Sequence, residues 1–330
     1  MKFYKQEKDR LVCLLCSYYC KLKENQTGVC GVNKNIGEKI ECLVYGYLSA
    51  LNIDPIEKKP LYHFLPSSKS LSLGTVGCNF RCPFCQNWQI SQTSNINKNN
   101  YFSVEEIVNI AREKKCESIS YTYNEPTIFY PFAKDIALKA KEFDIKSVFV
   151  SNGFESSEVI ADMKGVIDAM NIDLKSFDKN YYKKSLGGDL KVVCDNLINI
   201  KKNDIHLEIT TLIVPSKNDS KVELENIVKF IKENLGVDVP WHISAFHPDY
   251  KEQDLERTKD ESLEMAYDIA KSHGLNYVYM GNSTFENDTV CKNCGEILIR
   301  REYFNVLENK VVDGCCPKCK TKLDGVFKWV

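Results

Sequence analysis

Two textures alternate along residues 70–283. Short β-rich apolar runs occur at 70–76, 118–123, 146–150, 169–174, 206–214, 241–246 and 276–280. Helical periodicity fills the intervals, and strands alternating with helices predict parallel βαβ units. Two of the intervals open on Ser-x-x-Glu, at Ser103/Glu106 and Ser220/Glu223, the pattern of a capping box in which side chains satisfy backbone donors at a helix start. Units of this kind build either an open doubly wound sheet or a barrel, and periodicity alone does not choose. Both place function just beyond the carboxyl ends of the strands. There the chain carries a cysteine loop, then Asn124-Glu125-Pro126, Ser151-Asn152-Gly153, Asp173 with Lys175, and later Ser216, His247 and Asn282. Tyr121, Tyr123 and Phe129 read as core, and His63, His206, His242 and His273 as ordinary surface or core histidines.

Composition adds limits. The 330 residues are 43% hydrophobic and 27% charged, as expected for a globular protein of two domains or one with appendages. With 44 Lys and Arg against 45 Asp and Glu, the net charge of −1 gives no overall field for nucleic acid or anionic membrane. No apolar stretch approaches a membrane span. Lys2 and Lys5 ahead of the apolar run 11–15 mimic a secretory signal, but Glu7, Asp9, Cys13 and Cys16 speak against one, so a cytoplasmic, thiol-reducing address is expected.

The 15 cysteines carry the chemistry. Cys13, Cys16, Cys20 and Cys30 supply four thiolates from a short polar segment, a set that suits tetrahedral zinc or an auxiliary iron–sulfur cluster. Cys291-x2-Cys294 and Cys316-x2-Cys319 are paired knuckles about twenty residues apart, a zinc-ribbon signal, with Cys315 the poorer match in spacing. Between them, Cys78, Cys82 and Cys85 form C-x3-C-x2-C with no evident fourth partner. A 4Fe-4S cluster held by three thiolates keeps one iron open to a substrate or cofactor. Cys42, Cys116, Cys194 and Cys315 read as small buried hydrophobes.

C-x3-C-x2-C with Phe84 before the last cysteine resembles the signature of the radical S-adenosylmethionine (SAM) superfamily. The wider string Thr75 to Trp88, with the N-terminal cysteines, the segment Asp54-Pro55-Ile56-Glu57-Lys58-Lys59-Pro60 and the ribbon, resembles the radical SAM component of the AmmeMemoRadiSam system over nearly the whole chain. More distantly the middle resembles the activating enzymes of pyruvate formate-lyase and other glycyl-radical enzymes. The resemblance implies an α/β fold, a partial (β/α)6-type barrel at 66–283, flanked by a cysteine-rich module at 1–65 and a ribbon-like module at 284–330. It also implies that SAM is reductively cleaved at the open-site cluster to a 5′-deoxyadenosyl radical, which takes hydrogen from a substrate.

By the same resemblance Glu125 meets the methionine ammonium, beside Asn124, where the family has glycines. Ser151, Asn152, Asp173 and Lys175 line the SAM site, His247 lies near the nucleoside, and Phe84 offers an apolar surface. An acidic residue that holds a monovalent cation in some relatives is Val150 here. Implied partners are a low-potential electron donor of flavodoxin or ferredoxin type and proteins of the Memo and AMMECR types. Three alternatives remain open at this point: a glycyl-radical activase acting on a partner protein, an iron–sulfur carrier or metal-binding adaptor without SAM chemistry, and nucleic-acid binding through Arg300 and Arg301 of the ribbon.

Overall fold

A computed structural model describes residues 3–327. The N-terminal segment forms two small antiparallel units, β1 (Tyr4–Glu7), β2 (Arg10–Cys13) and β3 (Lys21–Leu22), then the hairpin β4 (Asn33–Ile36) and β5 (Lys39–Cys42). The centre is one eight-stranded sheet. Its strands are β6 (Ala50–Pro55), β7 (Lys69–Gly74), β8 (Ser118–Tyr121), β9 (Lys146–Ser151), β10 (Ala169–Asp173), β11 (His206–Ile213), β12 (Trp241–Ala245) and β13 (Val278–Gly281), paired in chain order. β7 to β13 are parallel, and β6 pairs antiparallel with β7 as one edge. All seven core strands expected from the pattern are present, within a few residues at their ends. β6, which precedes the expected start of the core at residue 66, joins the same sheet.

The strand residues explain the two faces of the sheet. Ser70 and Ser72 alternate with Leu71 and Leu73, Ser118 and Ser120 with Ile119 and Tyr121, Glu208 and Thr210 with Leu207 and Ile209, His242 and Ser244 with Trp241 and Ile243. Alternate side chains point to opposite faces of a strand, so one face is apolar and packs on the helices while the other is polar. The polar face is buried nonetheless: Ser70, Ser72, Ser118, Ser120, Asn171 and Glu208 are at most 1% exposed. Seven strands laid flat would span roughly 29 Å at ~4.8 Å per gap. Here residues from β10, β11, β12 and the ends of β8 and β13 line a single cavity, so the sheet curls around it as a partial barrel.

Helices cover the outside. Helix Val104–Glu113 opens on the full capping box, Ser103 and Glu106 each accepting from the other's backbone N–H. At Ser220 only half of the expected box forms. The Glu223 carboxylate instead accepts from Ser176 Oγ and the Phe177 N–H, tying the helix to the loop after β10.

The amino ends of the strands are closed by residues 56–65. Glu208, fully buried, accepts from the backbone N–H of Tyr62 (3.0 Å) and His63 (2.7 Å) and lies 3.0 and 2.6 Å from the Nε2 atoms of His206 and His242. Burial alone would raise this carboxyl, but the two histidines outweigh it and hold it well below the usual range. Asn171 Nδ2 donates to Pro60 O at 2.7 Å.

The C-terminal unit, β14 (Thr289–Val290), β15 (Ile297–Glu302) and β16 (Asn305–Asn309), docks on this plug. Arg301 donates to Tyr62 O at 2.8 Å and to Thr289 Oγ1 at 2.8 Å, and Val326 N–H donates to His63 O. Arg301 is 4% exposed and spent on these internal contacts, which corrects its reading as a nucleic-acid contact.

Candidate active site

At the carboxyl ends of the barrel strands lies a cavity of about 420 Å³. β7 delivers the cysteine loop into it, and Cys78, Cys82 and Cys85 all line it, with no fourth cysteine among the described residues that do. Gly77, at φ +89°, lets the chain turn in; a Cβ there would stand 2.6 Å from Cys30 O. Asn124 locks the loop, accepting from Thr75 N–H and donating to Thr75 Oγ1 (3.0 Å) and Gly77 O (2.8 Å). Asn152 Nδ2 holds Asn79 Oδ1 at 2.7 Å. The Phe80 N–H points at Cys78 Sγ, 3.3 Å away. Burial pushes the thiols of Cys78 and Cys82 up, Cys82 to about 12, with Lys175 opposing the rise. Thiols so placed become thiolates when a metal replaces the proton. The donor set therefore fits a cluster that withdraws charge from three thiolates.

Glu125 is 2% exposed at the cavity wall, positioned by the turn that follows β8. Its Oε1 accepts from Thr127 N–H (3.0 Å), Thr127 Oγ1 (2.6 Å) and Ser151 Oγ (2.9 Å), and its Oε2 from Asn152 N–H (2.8 Å). Behind it sits Glu155, wholly buried, 2.6 Å from the same Ser151 Oγ. Burial, and then the charge of Glu125, push Glu155 up to about 7. Burial raises Glu125 as well, against the four donors aimed at it. Glu155 escapes the pattern reading. Gly153, at φ +75° with Ile172 and Val193 against it, turns the chain back so that a residue four past Ser151 returns to the site.

Phe84, Asn124, Glu125, Ser151, Asn152, Asp173 and Lys175 all line the cavity, as does Val150. Lys175 donates to Asp173 at 2.8 Å; burial would lower it, but Asp173, and then Cys82, outweigh that and hold it above its ordinary value. His247 does not line the cavity; it is exposed, its Nε2 2.8 Å from Gln86 Nε2, and Gln86 forms part of the wall. Ser216 is also exposed and away from it, in a turn closed by Asp219. Of the later strand ends, only Asn282 reaches the wall. Residues that the strand-end rule overlooks complete the lining: Thr122, Tyr123, Thr210, Ser244, and Lys58 with Lys59 from the plug. Tyr123, expected in the core, instead donates its hydroxyl to Asp54 at 3.0 Å.

In the ribbon, the thiols of Cys291, Cys294, Cys316 and Cys319 lie within 4.8 Å of one another, with Cys291–Cys319 at 3.5 Å and Cys294–Cys316 at 3.7 Å. Sulfurs ~2.3 Å from one tetrahedral ion stand about 3.8 Å apart, which these pairs match. Cys315 is outside the group. The Thr321 hydroxyl, 3.1 Å from Cys319 Sγ, holds that thiol down to about 5.

Cys13, Cys16, Cys20 and Cys30 are near enough for their charges to interact, and Cys42 joins them, but they are not drawn together as the ribbon set is. This module abuts the site directly: Cys16 bridges Glu155, and Cys30 O packs on Gly77.

Comparison with known proteins agrees with this geometry. A family profile described as the radical SAM superfamily matches residues 72–231. An uncharacterized protein of Methanocaldococcus jannaschii is 40% identical over 332 residues, 99% of each chain. A putative glycyl-radical enzyme activating enzyme of the same organism is 30% identical over 235 residues, covering 67% of this chain and 93% of its own. Among solved structures, a radical SAM methyltransferase from Sphaerobacter thermophilus has a similar fold, with a TM-score of 0.52 at 14% identity over 67% of this chain and 68% of that one.

Proposed function

The chain belongs to the radical SAM superfamily, and on that premise we propose that Cys78, Cys82 and Cys85 hold a 4Fe-4S cluster whose open iron receives SAM. The observation that carries this is one cavity lined by three buried or half-buried thiols and a buried carboxylate, with no fourth cysteine among the described lining residues. When bound, the reduced cluster and SAM supply one-electron cleavage of SAM to methionine and a 5′-deoxyadenosyl radical, the species that takes hydrogen from substrate.

The chain's own part is orientation and exclusion of water. Glu125, its oxygens fixed by four donors, receives the amino acid's ammonium group. Phe84 gives an apolar wall, and the Asp173–Lys175 pair lies across from it, Lys175 Nζ 6.0 Å from the Phe84 ring. Asn124 and Asn152 serve mainly as locks on the cysteine loop, since their amides are engaged there. His247 acts at most through Gln86.

The relative named as a glycyl-radical enzyme activating enzyme supports a second reading, in which the hydrogen comes from a backbone Cα–H of a partner protein. The built cavity weighs against a pure electron carrier, which needs no space for SAM. A low-potential flavodoxin or ferredoxin as reductant follows from the chemistry, and Memo-type and AMMECR-type proteins from the resemblance. The ribbon cysteines suit zinc. The more open N-terminal set suits an auxiliary iron–sulfur cluster or zinc, placed against the cysteine loop. Fifteen cysteines, none of them paired in a disulfide, support a reducing, cytoplasmic setting. Among the described residues no helix is long and apolar enough to cross a membrane.

The test is anaerobic reconstitution with iron and sulfide, reduction with dithionite, and assay for 5′-deoxyadenosine, with iron and zinc quantified on the same sample. Formation of 5′-deoxyadenosine is expected. A full cluster that yields none, with and without a candidate partner protein, overturns the reading.

A further inference from the structure

Binding of SAM beside the cysteine loop leaves the lysine side of the cavity without a task. Lys59 is 3% exposed, yet it lines the cavity, with Lys58 beside it. Both lysines converge on a single carboxylate: Lys59 Nζ lies 2.6 Å from Asp54 Oδ2 and Lys58 Nζ 3.1 Å from Asp54 Oδ1. Asp54 also accepts the Tyr123 hydroxyl, and Lys59 Nζ sits 5.0 Å from the centre of the Tyr123 ring. Two cations on one anion leave the cavity wall net positive, with Lys58 about half exposed to solvent.

A fold that needs only an ion pair to fasten β6 has no use for the second lysine. Lys59, the buried cation, is matched by Asp54, whereas the half-exposed Lys58 only shares that carboxylate, so its charge can meet an anion that enters the cavity. The neutral wall points the same way. Thr122 and Tyr123 after β8, Thr210 on β11 and Ser244 on β12 are hydrogen-bonding groups that line the same space. The other charged lining residues are already assigned, Lys175 to Asp173 and Glu125 to the SAM ammonium. Beneath, Glu208 and Asn171 fix the plug at Pro60, Tyr62 and His63, next to the buried Lys59.

We propose that Lys58 and Lys59, braced by Asp54 and Tyr123, form the substrate subsite of this enzyme and bind the carboxylate or phosphate of a small organic anion inside the barrel. The proposal rests on the cysteine-loop side of the cavity being the SAM site. A polypeptide presenting a neutral backbone Cα–H would leave the surplus charge unanswered, so the subsite favours a small-molecule substrate over a glycyl-radical partner.

The test uses the anaerobically reconstituted full chain with malonate and inorganic phosphate as probes, and chloride at equal ionic strength as the control. Calorimetry measures binding, and acylation followed by mass spectrometry measures protection of individual lysines. Saturable binding of one probe, protection of Lys58 but not of the exposed Lys191, and at least tenfold weaker binding in Lys58→Gln are expected. Whichever probe binds better identifies the carboxylate or the phosphate. Lys59→Met removes a buried partner and can fail to fold, so substitution of the half-exposed Lys58 is the deciding experiment. No binding beyond chloride, or equal binding in Lys58→Gln, overturns the proposal. Assay of 5′-deoxyadenosine on the same preparation separates the two readings. Its formation without anion binding sinks the subsite alone, and anion binding without it sinks the SAM reading alone.

Discussion

Glu155 is the residue whose replacement should be most informative about the site's electrostatics. Two hydroxyl protons serve the pair of carboxylates: Thr127 Oγ1 lies 2.6 Å from Glu125 Oε1 and 3.3 Å from Glu155 Oε1, and Ser151 Oγ lies 2.9 and 2.6 Å from the same two atoms. With both carboxylates ionised, each hydroxyl can satisfy only one oxygen well. A proton on Glu155 resolves the conflict, because Glu155 can then donate to Ser151, which donates to Glu125. This is the physical content of a Glu155 carboxyl raised from 4.5 to about 7.

A folded-state value above the unfolded one means that the native protein binds the extra proton, so stability falls as pH rises between the two values. At 1.36 kcal/mol per unit, the shift corresponds to about 3 kcal/mol, fully present below pH ~4.5 and gone above pH ~7. Glu155→Gln fixes the neutral form and removes this slope. Relative to wild type, the variant should therefore be more stable at pH 8 than at pH 5 by about 2.5 kcal/mol, or about 5 °C in midpoint at ~2 °C per kcal/mol for a chain of this size. The assay is anaerobic thermal unfolding of both proteins across pH 5 to 8.5. A variant-minus-wild-type difference that stays flat over that range would refute the shared-proton account.

Other outcomes follow from the same contacts. Cys82→Ala should lose the barrel cluster and 5′-deoxyadenosine formation while keeping the ribbon metal, measured as iron and zinc per chain; retained 5′-deoxyadenosine would sink the cluster assignment. Cys316→Ser should release the ribbon ion and Cys315→Ser should not, read by zinc content after dialysis. Glu208→Ala strips two backbone N–H groups and two histidines of a buried acceptor and should cost about 3–5 kcal/mol in urea unfolding; a loss under about 1 kcal/mol would show that water replaces the carboxylate. Gly77→Ala sets a Cβ 2.6 Å from Cys30 O, and it should loosen the N-terminal module, seen as faster amide exchange in residues 28–33.

The barrel was legible because its strands are short, β-rich and separated by helical periods. The cavity wall was legible wherever a polar group falls within three residues of a strand end, as at Asn124, Ser151 and Lys175. The rule failed where the chain leaves the barrel at once. After β12 the chain exits through His247, and after β11 Ser216 enters a tight turn at φ +61°. It also failed inside the strands, since Thr210 and Ser244 become wall only when the sheet curls, and curvature is not written in a period of two. The antiparallel β6 looked like a leader to the core because only its register against β7 reveals it as an edge. The acidic residue missing at Val150 has no substitute in the local string; Glu155 occupies the region behind Glu125 through the turn at Gly153.

The two cysteine-rich ends brace opposite halves of the same cavity. The N-terminal module touches the cysteine loop at Gly77 and the Glu155 backbone at Cys16, so a metal held there would bear on the geometry of the cysteine loop and of the Glu125 wall. The ribbon touches Tyr62 and His63 through Arg301, Asp324 and Val326, within a few residues of Lys58 and Lys59, so an ion held there would bear on the lysine side. Such a division makes the terminal modules separable in effect. Stripping the ribbon ion with a chelator should weaken anion binding at Lys58 before it alters cleavage of SAM. Loss of a metal held by the N-terminal cysteines should do the reverse, because their contacts reach the cavity at Gly77 and Glu155.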